Sequence, residues 1–210
     1  MVVGLPSWQR LVDHMVRELD LPTDGLLPGS THQVVAEYYR IRRGSIGALR
    51  SWMDREWKVS EEQVQHSSIH DLIVSLDFPL IYTTNYDRNL EVAFGLHGRS
   101  FAKIANARDI ALADSQSTQI VKFHGDFDDD ESLVLTESDY FSRLSFDSPL
   151  DVKFRSDAMS RTVIISDMTA PLVDPDRPTL AHRCRRGAVT SSMPIRCISF
   201  RSASATGRCL

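Results

Sequence analysis

With 210 residues, 42% of them hydrophobic and 25% charged, the chain has the length and composition of one sizeable globular domain, which excludes wholesale disorder. No run of 18 apolar residues occurs, so no membrane-spanning helix or membrane partner is expected; the opening MVVGLPSWQR lacks the basic and long apolar regions of a signal peptide, and a cytoplasmic location is expected. The net charge of -4 is unevenly spread: residues 171–210 hold seven Arg, no Lys and only Asp174 and Asp176, leaving an acidic body on which no nucleic-acid surface is expected.

In chain order, Trp8, Leu11, Val12, Met15, Val16 and Leu19 repeat at the spacing of one helical face. From Thr31 to Trp57 the pattern is again helical, and Gly44 and Gly47 divide it into two helices. Ser60 with Gln63 fits a capping box, which predicts a further helix from about Glu61 to Leu76. The period then changes. Leu80-Ile81-Tyr82-Thr83-Thr84 reads as a strand ending in Asn-Tyr-Asp, and Asp87 is placed to cap a helix over RNLEVAFGL. Strands follow at 100–104, at 119–123 running into His124, and at 132–135. Thr136 with Asp139 caps a helix through Leu144; a helix over 150–160 and a strand over 161–165 complete the pattern. Helices alternating with short, continuously apolar strands predict an α/β domain with a mainly parallel sheet.

In such a sheet the ligand crevice lies beyond the carboxyl ends of the strands. Two strand ends carry polar residues there: Thr83-Thr84-Asn85-Tyr86-Asp87 and Lys122-Phe123-His124-Gly125-Asp126. Taken alone, His124 reads equally as a loop histidine, Asn85 as a turn residue and Asp87 as a helix cap. Asp128-Asp129-Asp130-Glu131 reads as a solvated turn, since it lacks the spaced ligands of a calcium loop. The remaining histidines read as surface or packing residues. Cys184, Cys197 and Cys209, the only cysteines, match no zinc spacing and by their odd number argue against a disulfide framework, so no metal is expected.

Four stretches, GLPSW (4–8), IYTTNYDRNLEVAF (81–94), VKFHGDFDDDESLVLTESDY (121–140) and LDVKFRSDAMSRTVI (150–164), resemble the SIR2-like, sirtuin-related domains of bacteria, in that family's order. The resemblance implies a Rossmann-like, mainly parallel sheet with a helical module, and NAD as substrate or ligand. It implies catalytic roles for His124, with Asn85 and Asp87 at the nicotinamide ribose. Gly4, Pro6, Ser7, Trp8, Thr84, Asn85, Asp87 and Gly125 become the cofactor-binding set. It also implies NAD hydrolysis to nicotinamide and ADP-ribose in antiphage defence, with an oligomer or a defence-system partner. Protein deacylation is less favoured, because the chain has no four-cysteine zinc set.

Two departures from the family are expected to matter. Only Met1-Val2-Val3 precedes Gly4, where the family has a strand and a glycine-rich loop; the N-terminus therefore reads as truncated. After Ile165 the sequence loses periodicity and holds Arg, Ser and all the cysteines, which reads as an aberrant, disordered tail. The expected organisation is a SIR2-like domain over 1–165, with a helical module at 31–76, and a tail over 166–210. Two other readings stay open beside the NAD hydrolase: a non-catalytic NAD- or ADP-ribose-binding or interaction module, and an inactive gene fragment.

Overall fold

A computed structural model describes residues 8–21, 31–114, 116–167 and 196–201. Helix α1 (Trp8–Glu18) is followed by α2 (His32–Arg43), α3 (Gly47–Glu56), α4 (Glu61–Gln65) and α5 (Ser68–Ser75). Then come β1 (Leu80–Thr83), α6 (Asn89–Leu96), β2 (Phe101–Ile104), α7 (Ala107–Leu112), β3 (Thr118–Lys122), α8 (Glu137–Leu144), α9 (Pro149–Ser160), β4 (Thr162–Asp167) and β5 (Arg196–Arg201). All pairings among these five strands are parallel, and the strand order is β2-β3-β1-β5-β4. This is the expected α/β, Rossmann-like architecture with a helical module.

Strand β1 is buried at all four positions, which accounts for its unbroken apolar run. Leu80 and Tyr82 pack with Ile104, Val121 and Leu150 on the face covered by α9. Ile81 and Ile120 pack with Phe94 and Val64 on the opposite face, under α4, α5 and α6. A third cluster fills the helical module: Leu11, Met15, Val35, Tyr39, Leu49 and Met53, closed by Trp8, Trp57, Tyr86 and Phe127.

The two glycines separate the helices as expected. Gly44 ends α2 in the left-handed region at φ 77, and α3 begins at Gly47. The boxes at Ser60/Gln63 and Thr136/Asp139 both form.

Four elements differ from the sequence reading. The single helix over 61–76 is two, because the His66 ring bonds the Glu62 carbonyl at 2.7 Å and Ser67 turns to extended backbone. The strand over 132–135 is absent: Asp130–Ser132 makes a turn of 3-10 helix, then Leu133–Leu135 is buried with one bond to the neighbouring turn, Val134 N–H to the His124 carbonyl at 2.9 Å. Helix α7 was not anticipated; Asn106 caps it by accepting from the Asp109 N–H at 3.1 Å. The segment read as a disordered tail contributes β5, which pairs with β1 and β4; the rest of 168–210 lies outside the described residues.

A charged clamp joins the helical module to α8. Glu37 accepts from the Ser138 N–H at 3.0 Å and hydroxyl at 2.6 Å, and Arg40 bridges Glu37 (2.8 Å) and Asp139 (3.0 Å). Burial opposes the Glu37 charge, but the Ser138 and Arg40 bonds outweigh it and lower its pKa from 4.5 to about 2. A depressed carboxylate stabilises above its unfolded pKa, and that share fades as pH falls through the folded one. Glu37→Gln should therefore lower the urea midpoint by a constant amount above pH 5. The difference from wild type should shrink toward nothing near pH 2; a gap that persists there would contradict the clamp.

Candidate functional site

Strands β1 and β3 are neighbours in register, Thr83 beside Lys122, and the Phe123 N–H donates to the Thr83 carbonyl at 2.7 Å. The segments Thr84–Asp87 and Phe123–Asp126 therefore leave the sheet side by side at its carboxyl edge. The two motifs singled out in the sequence meet there.

In the first segment the side chains divide. Asn85 is half-buried, its backbone N–H held by Thr83 Oγ1 at 3.1 Å, and its buried Oδ1 accepts no hydrogen bond. Thr84 is also half-buried. Tyr86 points into the helical module, fully buried, and donates its hydroxyl to the Val134 carbonyl at 2.7 Å. Burial raises its pKa well above the ordinary tyrosine value. Asp87 accepts the N–H of Asn89 at 3.1 Å in a local turn, but the N-cap of α6 is Arg88, so Asp87 lies one position outside the cap expected of it.

In the second segment His124 lies between rings: 6.1 Å from Phe123, stacked, and 5.4 Å from Tyr140, edge-on. Phe123 is fixed by Arg143, which donates to its carbonyl, sits 4.7 Å over its ring and pairs with buried Asp151 at 3.1 Å. Gly125 has φ +94, and a Cβ there would lie 2.2 Å from the Ser132 carbonyl oxygen. A side chain is excluded on both counts. Trp8, from the expected cofactor set, has its ring in the core, stacked on His32 at 4.2 Å and edge-on to Trp57 at 5.3 Å and Tyr86 at 6.3 Å. Burial lowers the His32 pKa to about 4, so it is neutral at pH 7. Gly4, Pro6 and Ser7 lie outside the described residues.

Sequence reasoning missed a buried charge cluster beneath the two segments. Lys122, with 0% exposure, donates to the carbonyls of Tyr86 (3.2 Å) and Asp87, and lies 3.3 Å from Glu91 and 3.5 Å from Asp126. Asp126, also at 0% exposure, lies 3.4 Å from Lys103. Lys103 in turn meets Asp128 at 2.7 Å, and Asp128 meets Arg88 at 2.5 Å. Burial raises the Glu91 pKa, with Lys122 opposing it; Lys103 lowers that of Asp128. The acidic run at 128–131 is mostly exposed, in keeping with a solvated turn, and two of its carboxylates are paired, Asp128 with Lys103 and Arg88 and Asp130 with Arg50 at 2.7 Å. The available signals were a lysine inside an apolar strand and a glutamate inside the apolar helix NLEVAFGL. His70, one of the histidines that read as surface or packing residues, contacts Ser67 at 2.7 Å; burial lowers its pKa, and the charge of Asp87 partly offsets that. Among the described residues no group of three or more metal-ligating side chains occurs, and no helix is long and apolar enough to cross a membrane.

The parallel α/β sheet carries Asn-x-Asp and His-Gly-Asp at adjacent carboxyl ends, the edge at which open α/β sheets take their ligands. The chain belongs to the SIR2-like domain family, which it matches over residues 79–190, a span that starts just before β1 and continues past Ile165. Among curated proteins it is similar to "Defense-associated sirtuin 2" of Bacillus subtilis, 29% identical over 144 residues, and to "NAD(+) hydrolase ThsA" of Enterococcus faecium, 29% identical over 139 residues. Each alignment covers 65% of this chain, but only 14% of the first relative and 28% of the second.

Proposed function

We propose that this domain binds NAD at the carboxyl edge of the sheet and hydrolyses its N-glycosidic bond, as part of antiphage defence. The observation that carries this reading is the pairing of the two motifs on adjacent strands, with the buried Asn85 Oδ1 left without a hydrogen-bond donor. A buried carbonyl oxygen with no donor costs free energy, and a ribose hydroxyl or carboxamide N–H satisfies it. The family membership and the names of the two relatives supply the choice of nucleotide and the defence setting.

In this reaction water adds across the bond between ribose and nicotinamide, giving ADP-ribose, nicotinamide and one proton. As nicotinamide departs, positive charge develops on the ribose, and the Asn85 oxygen and the Asp87 carboxylate orient and stabilise it. His124 accepts the proton from the attacking water or a ribose hydroxyl, work suited to an imidazole near neutral pH. Gly125 lets the backbone beside it pass close against Ser132, and the flanking Phe123 and Tyr140 rings restrict where the imidazole can turn.

Nicotinamide release by the purified protein should fall about 10²–10⁴-fold in His124→Ala, the range typical of a lost general base. A cooperatively folded wild type that binds NAD or ADP-ribose without releasing nicotinamide would sink the hydrolase reading and leave a binding module.

A further inference from the structure

The structure assigns Lys122 as the positioning residue that fixes Asn85 and Asp87 relative to His124; this deepens the reading of the site given above and rests on it for its catalytic half. The Lys122 ammonium is wholly buried, where an unpaired charge is prohibitive. Two of its contacts are backbone carbonyls, those of Tyr86 and Asp87, in the very turn that presents Asn85 and Asp87. The other two are carboxylates from different elements: Glu91 in α6 at 3.3 Å, and Asp126 in the His-Gly-Asp turn at 3.5 Å. One cation therefore joins both segments and the helix that follows the first.

The arrangement continues outward as an alternating ring. Asp126 meets Lys103 of β2, Lys103 meets Asp128, and Asp128 meets Arg88, which precedes α6 and lies three residues before Glu91. Chain and charge close on each other, so the two segments cannot slide apart without stranding a buried charge. That is a strong constraint, because breaking one partner of a buried pair leaves the other uncompensated. Strand pairing stops at Thr83 and Lys122. Beyond it, this ammonium takes over from the ladder.

Two variants test the assignment on the full chain. Lys122→Met removes the cation and leaves Glu91 and Asp126 facing each other; Glu91→Gln/Lys122→Met removes the pair together and keeps the volume, and it serves where the single variant does not fold. Hydrogen exchange reports the tether directly. The amides of Asn85, Asn89, Asp126 and Asp128 in and beside these turns are held by the side chains of Thr83, Asp87, Ser132 and Asp126. They should exchange about tenfold faster or more in the double variant, with the α2 amides unchanged. In parallel, kcat for NAD should fall about tenfold or more while KM moves far less, as expected when reacting groups are misplaced rather than lost. Unchanged exchange at the four amides overturns the tether. Faster exchange with kcat intact overturns the positioning role and leaves Lys122 a packing residue. If wild type itself releases no nicotinamide, the hydrolase reading fails, and the exchange arm still decides the tether.

Discussion

Gly125→Ala should destabilise the protein by about 3–5 kcal/mol, the sum of backbone strain and a clash that cannot relax. At φ +94 an L side chain is already strained. The added Cβ would meet the Ser132 carbonyl oxygen at 2.2 Å and the Leu133 nitrogen at 2.7 Å, both backbone atoms. Relief would require parting the 124–126 turn from 132–134. That contact is held by the Val134 N–H on the His124 carbonyl and by the Asp126 N–H on Ser132 Oγ, and it buries Leu133 and Val134. Urea unfolding of Gly125→Ala beside wild type measures the loss. A midpoint within about 1 kcal/mol of wild type, well below the strain and overpacking costs above, would show that the two backbones are further apart than described. The glycine of His-Gly-Asp is thus explained by packing alone, before any ligand is considered.

Trp57→Ala should cost about 3–5 kcal/mol, the range for deleting a buried aromatic side chain. Trp57 is 8% exposed, lies edge-on to Trp8 at 5.3 Å and contacts the rings of Tyr86 at 6.1 Å and Phe127 at 6.3 Å. It fills the space where the helical module meets both strand-end segments. Its indole nitrogen has no hydrogen-bond partner, so Trp57→Phe gives up ring volume and no bond. The Phe variant should recover at least half of the loss seen for Ala in thermal unfolding. A Phe variant as damaged as the Ala one would indicate that the indole N–H carries the contact.

The fold was largely legible because its signals are local. Helical faces in α1 and α2, the Ser60 and Thr136 boxes, the apolar run of β1 and Ile120-Val121 of β3 each depend on residues within a few positions of one another. The failures came where a distant partner or a local side-chain bond decides. Ser132–Leu135 carries strand-forming residues, but the segment closes over Gly125, so its one backbone bond to the neighbouring turn is Val134 N–H to the His124 carbonyl and no ladder forms. The helix over 61–76 breaks where the His66 ring takes a carbonyl of its own turn, which no periodicity records.

The candidate site was legible as two motifs at strand ends, and the structure places those ends side by side. Its support was not. Lys122 is 36 positions from Tyr86 and Glu91 is 35 positions from Asp126, so only the folded chain shows that one ammonium serves both turns. Arg143 on Phe123 is hidden for the same reason.

The alternation inside Asn85-Tyr86-Asp87 bears on how variants of this protein sort in a genetic screen. Tyr86 faces the opposite way from its neighbours and carries the joint between helical module and sheet. Its loss is expected to erase a phenotype by loosening the fold, whereas on the hydrolase reading proposed above loss of His124 erases it at the site. A screen that scores survival alone would file the two positions together, whereas one that also records protein abundance would separate them.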